Sequence, residues 1–260
     1  MQMRMNGRNA LVTGGSQGIG RAIAKHFAAS GAHVAIVARG GAALAKAKDE
    51  IAATTDTKVI AIVADVSTAE GCRHAFTSAE AALGPIDVLV NNAGTSQRGP
   101  FTSISDEVWQ NDIDLKVFAA IRLSRLALPG MQARRWGRII NVLNIGAKAP
   151  VASSAPTSVT RAAGMALTKV LAGEGAASNV LVNALLVGRI ASHQWERRHA
   201  SENKGRSLQD FYAEMGQAIP IGRIGTAEEF ANMALFLASD AGSYVTGTAI
   251  NIDGGLSPVV

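Results

Sequence analysis

Cysteine is nearly absent. Cys72 is the only one in 260 residues, which rules out an internal disulfide and a cysteine-based metal cluster and fits a reducing compartment. No run of about 18 apolar residues occurs, and Met1–Arg8 is too polar for a signal peptide, so a soluble, cytoplasmic protein is expected. Aromatic residues make up only 5% of the chain, and its 25 basic residues are scattered among 20 acidic ones. The net charge of +5 therefore reads as a solvated surface with some charge to spare for a phosphorylated ligand, and neither a nucleic-acid nor a membrane partner is expected. Repeats, linkers and low-complexity tails are missing too. What is present is 48% hydrophobic content, enough for one sizeable core, and a single domain spanning 1–260 is expected.

The most informative stretch is Leu11–Arg21. An apolar run ends at Thr13; Gly14, Gly15, Gly18 and Gly20 follow, with Ser16, Gln17 and Ile19 between them, and Arg21–Lys25 is helix-prone. That is strand, turn, helix. Gly14 and Gly18 let backbone amides approach a ligand, Gly20 permits close helix-to-strand contact, and the helix start aims free N–H groups and its positive dipole end at the turn. A pyrophosphate suits such a turn. An ordinary tight turn is the plainer alternative; the strand before and the helix after favour a dinucleotide.

Downstream, apolar runs at 33–38, 58–63, 86–90, 138–143, 180–185 and 248–252 read as strands. Helices are predicted over 41–53, 68–83, 105–131 with an interruption at Pro129-Gly130, 157–177 and 226–239. The alternation predicts an α/β fold: a doubly wound, Rossmann-type sheet of seven parallel strands with helices on both faces. Residues 192–217 show no clear period and read as a substrate lid. After the second strand, Ala38-Arg39-Gly40 offers no carboxylate for ribose hydroxyls; the Arg39 guanidinium matches a 2′-phosphate, which favours NADP(H) over NAD(H). Asp65 either accepts from an adenine amino group or helps to cap the next helix. Asn91-Asn92-Ala93-Gly94 is either ligand edge or turn.

Several ordered segments resemble the short-chain dehydrogenase/reductase family: T-G-G-S-Q-G-I-G at 13–20, A-D-V at 64–66, N-N-A-G at 91–94, G-R-I-I-N-V at 137–142, I-P-I-G-R-I-G at 219–225 and Y-V-T-G-T-A-I-N-I-D-G-G at 244–255. The resemblance runs nearly end to end. It implies a nicotinamide dinucleotide across the carboxyl edge of the sheet, a small-molecule substrate, and a homotetramer built through the two long helices and the last strand. It places Gly14, Gly18 and Gly20 at the pyrophosphate, Asp65 at the adenine, and Asn92, Ala93 and Gly94 at the adenosine ribose and neighbouring groups, with Ser16, Gln17, Ile19 and Val66 in the same cofactor-binding set. Gly188, Ile190 and Ser192 complete the cofactor set, Ser192 falling near a family threonine that helps to hold the carboxamide. Gln17 stands where many NADP-preferring members have a second basic residue.

The family's Asn-Ser-Tyr-Lys tetrad is where this chain departs. Aligned on the Tyr-x-x-x-Lys helix, Thr157 takes the tyrosine position and Arg161 the lysine position. Counting back gives Asn144 for serine, and Asp114 falls on asparagine. A threonine hydroxyl is far less acidic than a phenol, and arginine keeps its proton, so reduction of an ordinary ketone is expected to be poor. Arg161 can still donate to the nicotinamide ribose and Asn144 to a carbonyl. Substitute acids are Asp114, unless it only forms a helix-holding ion pair, and His193 at the mouth of the lid. The readings are an NADP(H)-dependent oxidoreductase acting on a carbonyl/alcohol pair or a conjugated acceptor, a dinucleotide-binding regulator or hetero-oligomer partner without turnover, and, with no residue to select it, a lyase or isomerase.

Overall fold

The computed structural model describes residues 3–202 and 205–260, apart from the side chains of His193, Gln194, Arg197 and Glu202. Seven strands, the inner ones buried, form one parallel sheet: β1 (Asn9–Thr13), β2 (His33–Ala38), β3 (Val59–Val63), β4 (Val88–Asn91), β5 (Gly137–Asn144), β6 (Val180–Val187) and β7 (Ala249–Ile252). Their order is β3-β2-β1-β4-β5-β6-β7. The direction of strand addition reverses between β1 and β4, and Val12 pairs with Val90 there. In open parallel sheets the crevice beyond such a reversal is where ligands bind.

Helices α1 (Gly18–Ala29), α2 (Gly41–Ala52) and α9 (Ala227–Ala238) cover one face, burying Ile23, Phe27, Leu44 and Phe230 against β1 and β2. On the other face lie α3 (Ala69–Leu83), α5 (Ala119–Ala133) and α6 (Thr157–Gly175), with Phe76, Leu123, Met131 and Leu171 buried against the inner strands. Both faces are sealed, so the strands are apolar on both sides, as their sequence is. Among the described residues no helix is long and apolar enough to cross a membrane.

Two predicted elements differ. The helix expected over 105–131 is α4 (Asp106–Ile113), a wider π turn over Asp114–Phe118, and α5. Helix α5 continues through Pro129, where Pro129 and Arg125, whose carbonyl loses its N–H partner, are both exposed residues. The segment 192–217 is not aperiodic. It contains α7 (His193–Glu202) and α8 (Leu208–Gln217), the latter capped by Ser207 and anchored by buried Phe211.

Candidate active site

The site grows from the β1–α1 turn. Gln17 stands at the N-cap of α1 without a side-chain bond to the helix, so the first amides of α1 keep their donors for something else. Gly18 has φ +54 and nothing within 4 Å of where a Cβ would stand: this is the open side of the turn. Gly14 and Gly20 are held for a different reason. A Cβ on Gly20 would collide with the Gly14 carbonyl, and one on Gly14 would meet Asn92 Nδ2 at 2.8 Å. Sequence reasoning had Gly14 clearing space for a ligand; in the structure its missing Cβ makes room for Asn92 and Ala93, just beyond β4. Ser16 is partly and Gln17 fully at the surface, and Ile19 packs onto the core around α1.

Thr13 ties the crevice together. Its hydroxyl donates to the Val90 carbonyl (3.1 Å) and accepts from the amides of Asn92 (2.9 Å) and Ala93 (3.0 Å). Asn92 Nδ2 donates back to the Thr13 carbonyl at 2.8 Å, which takes up the Asn92 amide in holding strand ends. Ala93 and Gly94 follow beside it. On the far side of the turn, exposed Arg39 follows β2, its Nη1 4.0 Å from Asp65 Oδ2. Asp65 Oδ1 accepts from the amide (3.0 Å) and hydroxyl (2.8 Å) of Ser67, so one of its oxygens serves the turn ahead of α3 and the other faces Arg39. Val66 is buried in the core.

At the reaction end, α6 delivers Thr157 and Arg161, and β5 ends at Asn144. Arg161 Nη1 donates to the Val142 carbonyl at 2.8 Å, and Nη2 lies against Gly94, where a Cβ would approach it to 2.5 Å. Burial pushes the guanidinium down to about 10, against the pull of Asp112. Arg161 Nε and Asn144 Oδ1 are buried and have no hydrogen-bond partner in the protein. One unused donor and one unused acceptor at this edge are what a polar ligand would satisfy. Asp114 is elsewhere: its carboxylate lies 3.6 Å from Arg122 Nη2 and accepts from Gln110 Nε2 at 2.9 Å. The structure therefore brings Asn144, Thr157 and Arg161 to one edge and leaves Asp114 on the outer side of the π turn.

The side chain that does reach Thr157 is one the motifs missed. Lys116, fully buried, donates to Thr157 Oγ1 (3.0 Å) and to Asp112 Oδ1 (2.5 Å), and Asp112 Oδ2 accepts from Thr160 Oγ1 at 2.8 Å. The signal was the i, i+4 spacing of Asp112 and Lys116, which puts both on one face and is usually read as surface pairing. Desolvation, reinforced by Arg161 and opposed by Asp112, lowers the Lys116 ammonium to about 8.

After β6, Gly188 sits where a Cβ would run into Asp253, Ile190 is buried, and Ser192 opens α7 with its carbonyl accepting from the Trp195 and Glu196 amides. His193 heads the same helix, its side chain lying outside the described residues. Among the described residues no three of His, Cys, Asp and Glu are grouped to hold a metal.

Residues 14–257 match the family model described as enoyl-(acyl carrier protein) reductase. The chain is 34% identical over 248 residues to the acetoacetyl-CoA reductase of Shinella zoogloeoides, covering 95% of this chain and 98% of that one. It is 32% identical over 256 residues to a 3-oxoacyl-(acyl-carrier-protein) reductase of Aquifex aeolicus, covering 98% and 100%. Among solved structures, the L-sorbose reductase of Gluconobacter frateurii, complexed with NADPH and L-sorbose, superposes with a TM-score of 0.96 at 35% identity over 100% of both chains.

Proposed function

The chain belongs to the short-chain dehydrogenase/reductase family, and on that premise we propose that it is an NADP(H)-dependent oxidoreductase reducing a carbonyl or conjugated acceptor at a site without the family's tyrosine and lysine. The observation that carries this reading is the uncapped, open first turn of α1 with Gly18 at its mouth. Exposed Arg39, in place of an acidic residue, supports the phosphorylated cofactor. When bound, NADPH supplies the hydride. The chain's own residues orient the substrate: at the edge where β5 ends, Arg161 Nε keeps a donor for an oxygen and Asn144 Oδ1 an acceptor for an O–H or N–H. A carbonyl already electron-poor through conjugation asks least of acid catalysis, which is why that substrate class is favoured.

The test is titration calorimetry with NADPH and NADH, followed by NADPH oxidation with a panel of diketones, quinones and simple ketones. Tighter NADPH binding and turnover confined to the activated members are expected. Tight binding without any turnover would favour a second reading, a dinucleotide-binding regulator. One observation speaks for it: the Thr157 hydroxyl is wholly engaged by Gln97 and Lys116. That reading predicts that Thr157→Tyr with Arg161→Lys raises activity from nothing. We also infer a homotetramer, supported by exposed Phe118 and Leu126 along the first long helical segment and Val159 and Val170 along α6; light scattering reads the mass directly. The α7–α8 segment is proposed as the lid over the substrate.

A further inference from the structure

Thr157 stands where a proton donor is expected, yet its hydroxyl has nothing left to give. It donates to the Gln97 carbonyl (2.8 Å) and accepts from the Gln97 amide (2.9 Å) and Lys116 Nζ (3.0 Å), which uses its one proton and both lone pairs. Lys116 is different. An ammonium has three N–H donors, of which Asp112 and Thr157 take two; no third hydrogen bond from Nζ occurs among the described residues. Lys116 and Arg161 also share with Ala93 and Thr13 the lining of a narrow cleft of about 10 Å³, which links the lysine to the strand ends that form the nucleotide crevice.

Charge at this place is unbalanced. Asp112 brings one negative charge, while Lys116 and Arg161 bring two positive ones, all on side chains largely withdrawn from water. An unpaired buried charge is costly, and the group that would relieve it is an oxygen gaining negative charge as a carbonyl is attacked. We propose that Lys116 is the proton donor of this site, its ammonium held by Asp112 and Thr157 and delivering a proton to the carbonyl oxygen of the substrate. The proposal rests on the oxidoreductase reading. The carbonyl carbon receives the hydride of the reduced nicotinamide, the π pair moves onto oxygen, and that oxygen takes one proton from Nζ. The carbonyl is reduced and the nicotinamide oxidised; Lys116 is left as a neutral amine that water reprotonates.

The environment matches the task. Asp112 from α4 and Thr157 from α6 bond Nζ, Arg161 from α6 adds a like charge, and Thr160 and the Gln97 backbone bond Asp112 and Thr157 in turn; burial and Arg161 together bring the ammonium to about 8, near working pH, where an acid is most effective. The roof over the lysine is thin: residues 94–98 are exposed chain, and a Cβ on Gly94 would stand 3.7 Å from Lys116 Cγ.

Two measurements test the proposal together. In protein labelled with ¹³C at lysine Cε, one resonance is expected to titrate near pH 8, to be missing in Lys116→Met, and to titrate higher in Arg161→Gln, where a like charge is gone. In parallel, Lys116→Met should reduce the panel about 100-fold more slowly while binding NADPH within about twofold of the parent. The parent's reduction rate should fall about tenfold per pH unit above about pH 8. Because Lys116→Met strands Asp112, the double variant Asp112→Asn with Lys116→Met carries the same test if the single one does not fold. A folded variant as fast as the parent, or a parent rate flat across that range, overturns the assignment and leaves the oxidoreductase reading standing. A parent that binds NADPH and reduces nothing overturns both.

Discussion

Arg39 and Lys116 show what single residues can and cannot disclose. The place of Arg39 was legible: it follows β2, at the crevice, with no acid beside it in sequence, and its reading of a 2′-phosphate is a proposal. The structure adds Asp65 at 4.0 Å, a weak surface partner that a bound 2′-phosphate would outcompete. Arg39→Ala should therefore weaken NADPH binding about tenfold, about 1.4 kcal/mol, and leave NADH nearly unchanged. The estimate sits at the low end for a charge-assisted bond because the side chain is 68% exposed. Calorimetry with both cofactors decides it, and equal losses for the two would mean that Arg39 does not read the 2′ position. Lys116 was not legible. In D-I-D-L-K the eye goes to Asp114, which aligns with a familiar motif. Only the π turn determines that Lys116 points inward to Thr157 while Asp114 meets Arg122 outside.

Among elements, the buried strands and their helices could be read because period and length say the same thing as packing. β4 begins two residues later and β6 ends two residues later than predicted, differences that hydrogen bonding to neighbours sets and composition does not. The α7–α8 pair was missed: α7 is short and strongly polar and carries no apolar stripe, whereas α8 does have one, Leu208, Phe211, Tyr212 and Met215 at i, i+3, i+4 and i+7 behind the Ser207 cap, a signal that was present in the sequence and not used. The first turn of α1 gives a contrast at this scale. Sequence reasoning gave Gly18 and Gly20 different tasks, and in the structure a Cβ at 18 meets open space while a Cβ at 20 meets backbone. Gly18→Ala should cost about 1–2 kcal/mol from its left-handed φ of +54 while the fold survives. Gly20→Ala must push α1 off β1 and should lower the melting temperature further and abolish NADPH binding. Equal effects of the two would mean that the turn yields as a unit. At the start of α9, Thr226 and Glu229 cap each other's backbone groups, and Thr226→Ala should cost about 1 kcal/mol in urea unfolding.

For the molecule as a whole, the buried cluster beneath Thr157 makes folding depend on pH in a direction that sorts it from the surface. Glu229, held down to about 2 by Arg223 and the Thr226 amide, contributes stability above the ordinary carboxylate range that is lost as pH falls toward 2. Its site is largely exposed, so the effect is small and fades with salt. Lys116 acts at the opposite end. Its ammonium titrates at about 8 in the folded chain and at 10.5 when unfolded, so between those values the unfolded chain holds a proton that the folded one has released. Folding is then favoured increasingly as pH rises through that window, the reverse of a surface lysine in an ion pair. Groups away from the pair cancel when the parent is compared with Asp112→Asn plus Lys116→Met, which leaves the surface intact; Arg161, held down to about 10 by burial and interacting with both residues, does not cancel, so the comparison is read chiefly between about pH 8 and 10. The parent's urea stability, taken relative to that variant, should climb from about pH 8 to about 10. A difference flat across this window would mean that Lys116 keeps an ordinary ammonium, and the acid assigned to this site would have to be sought elsewhere.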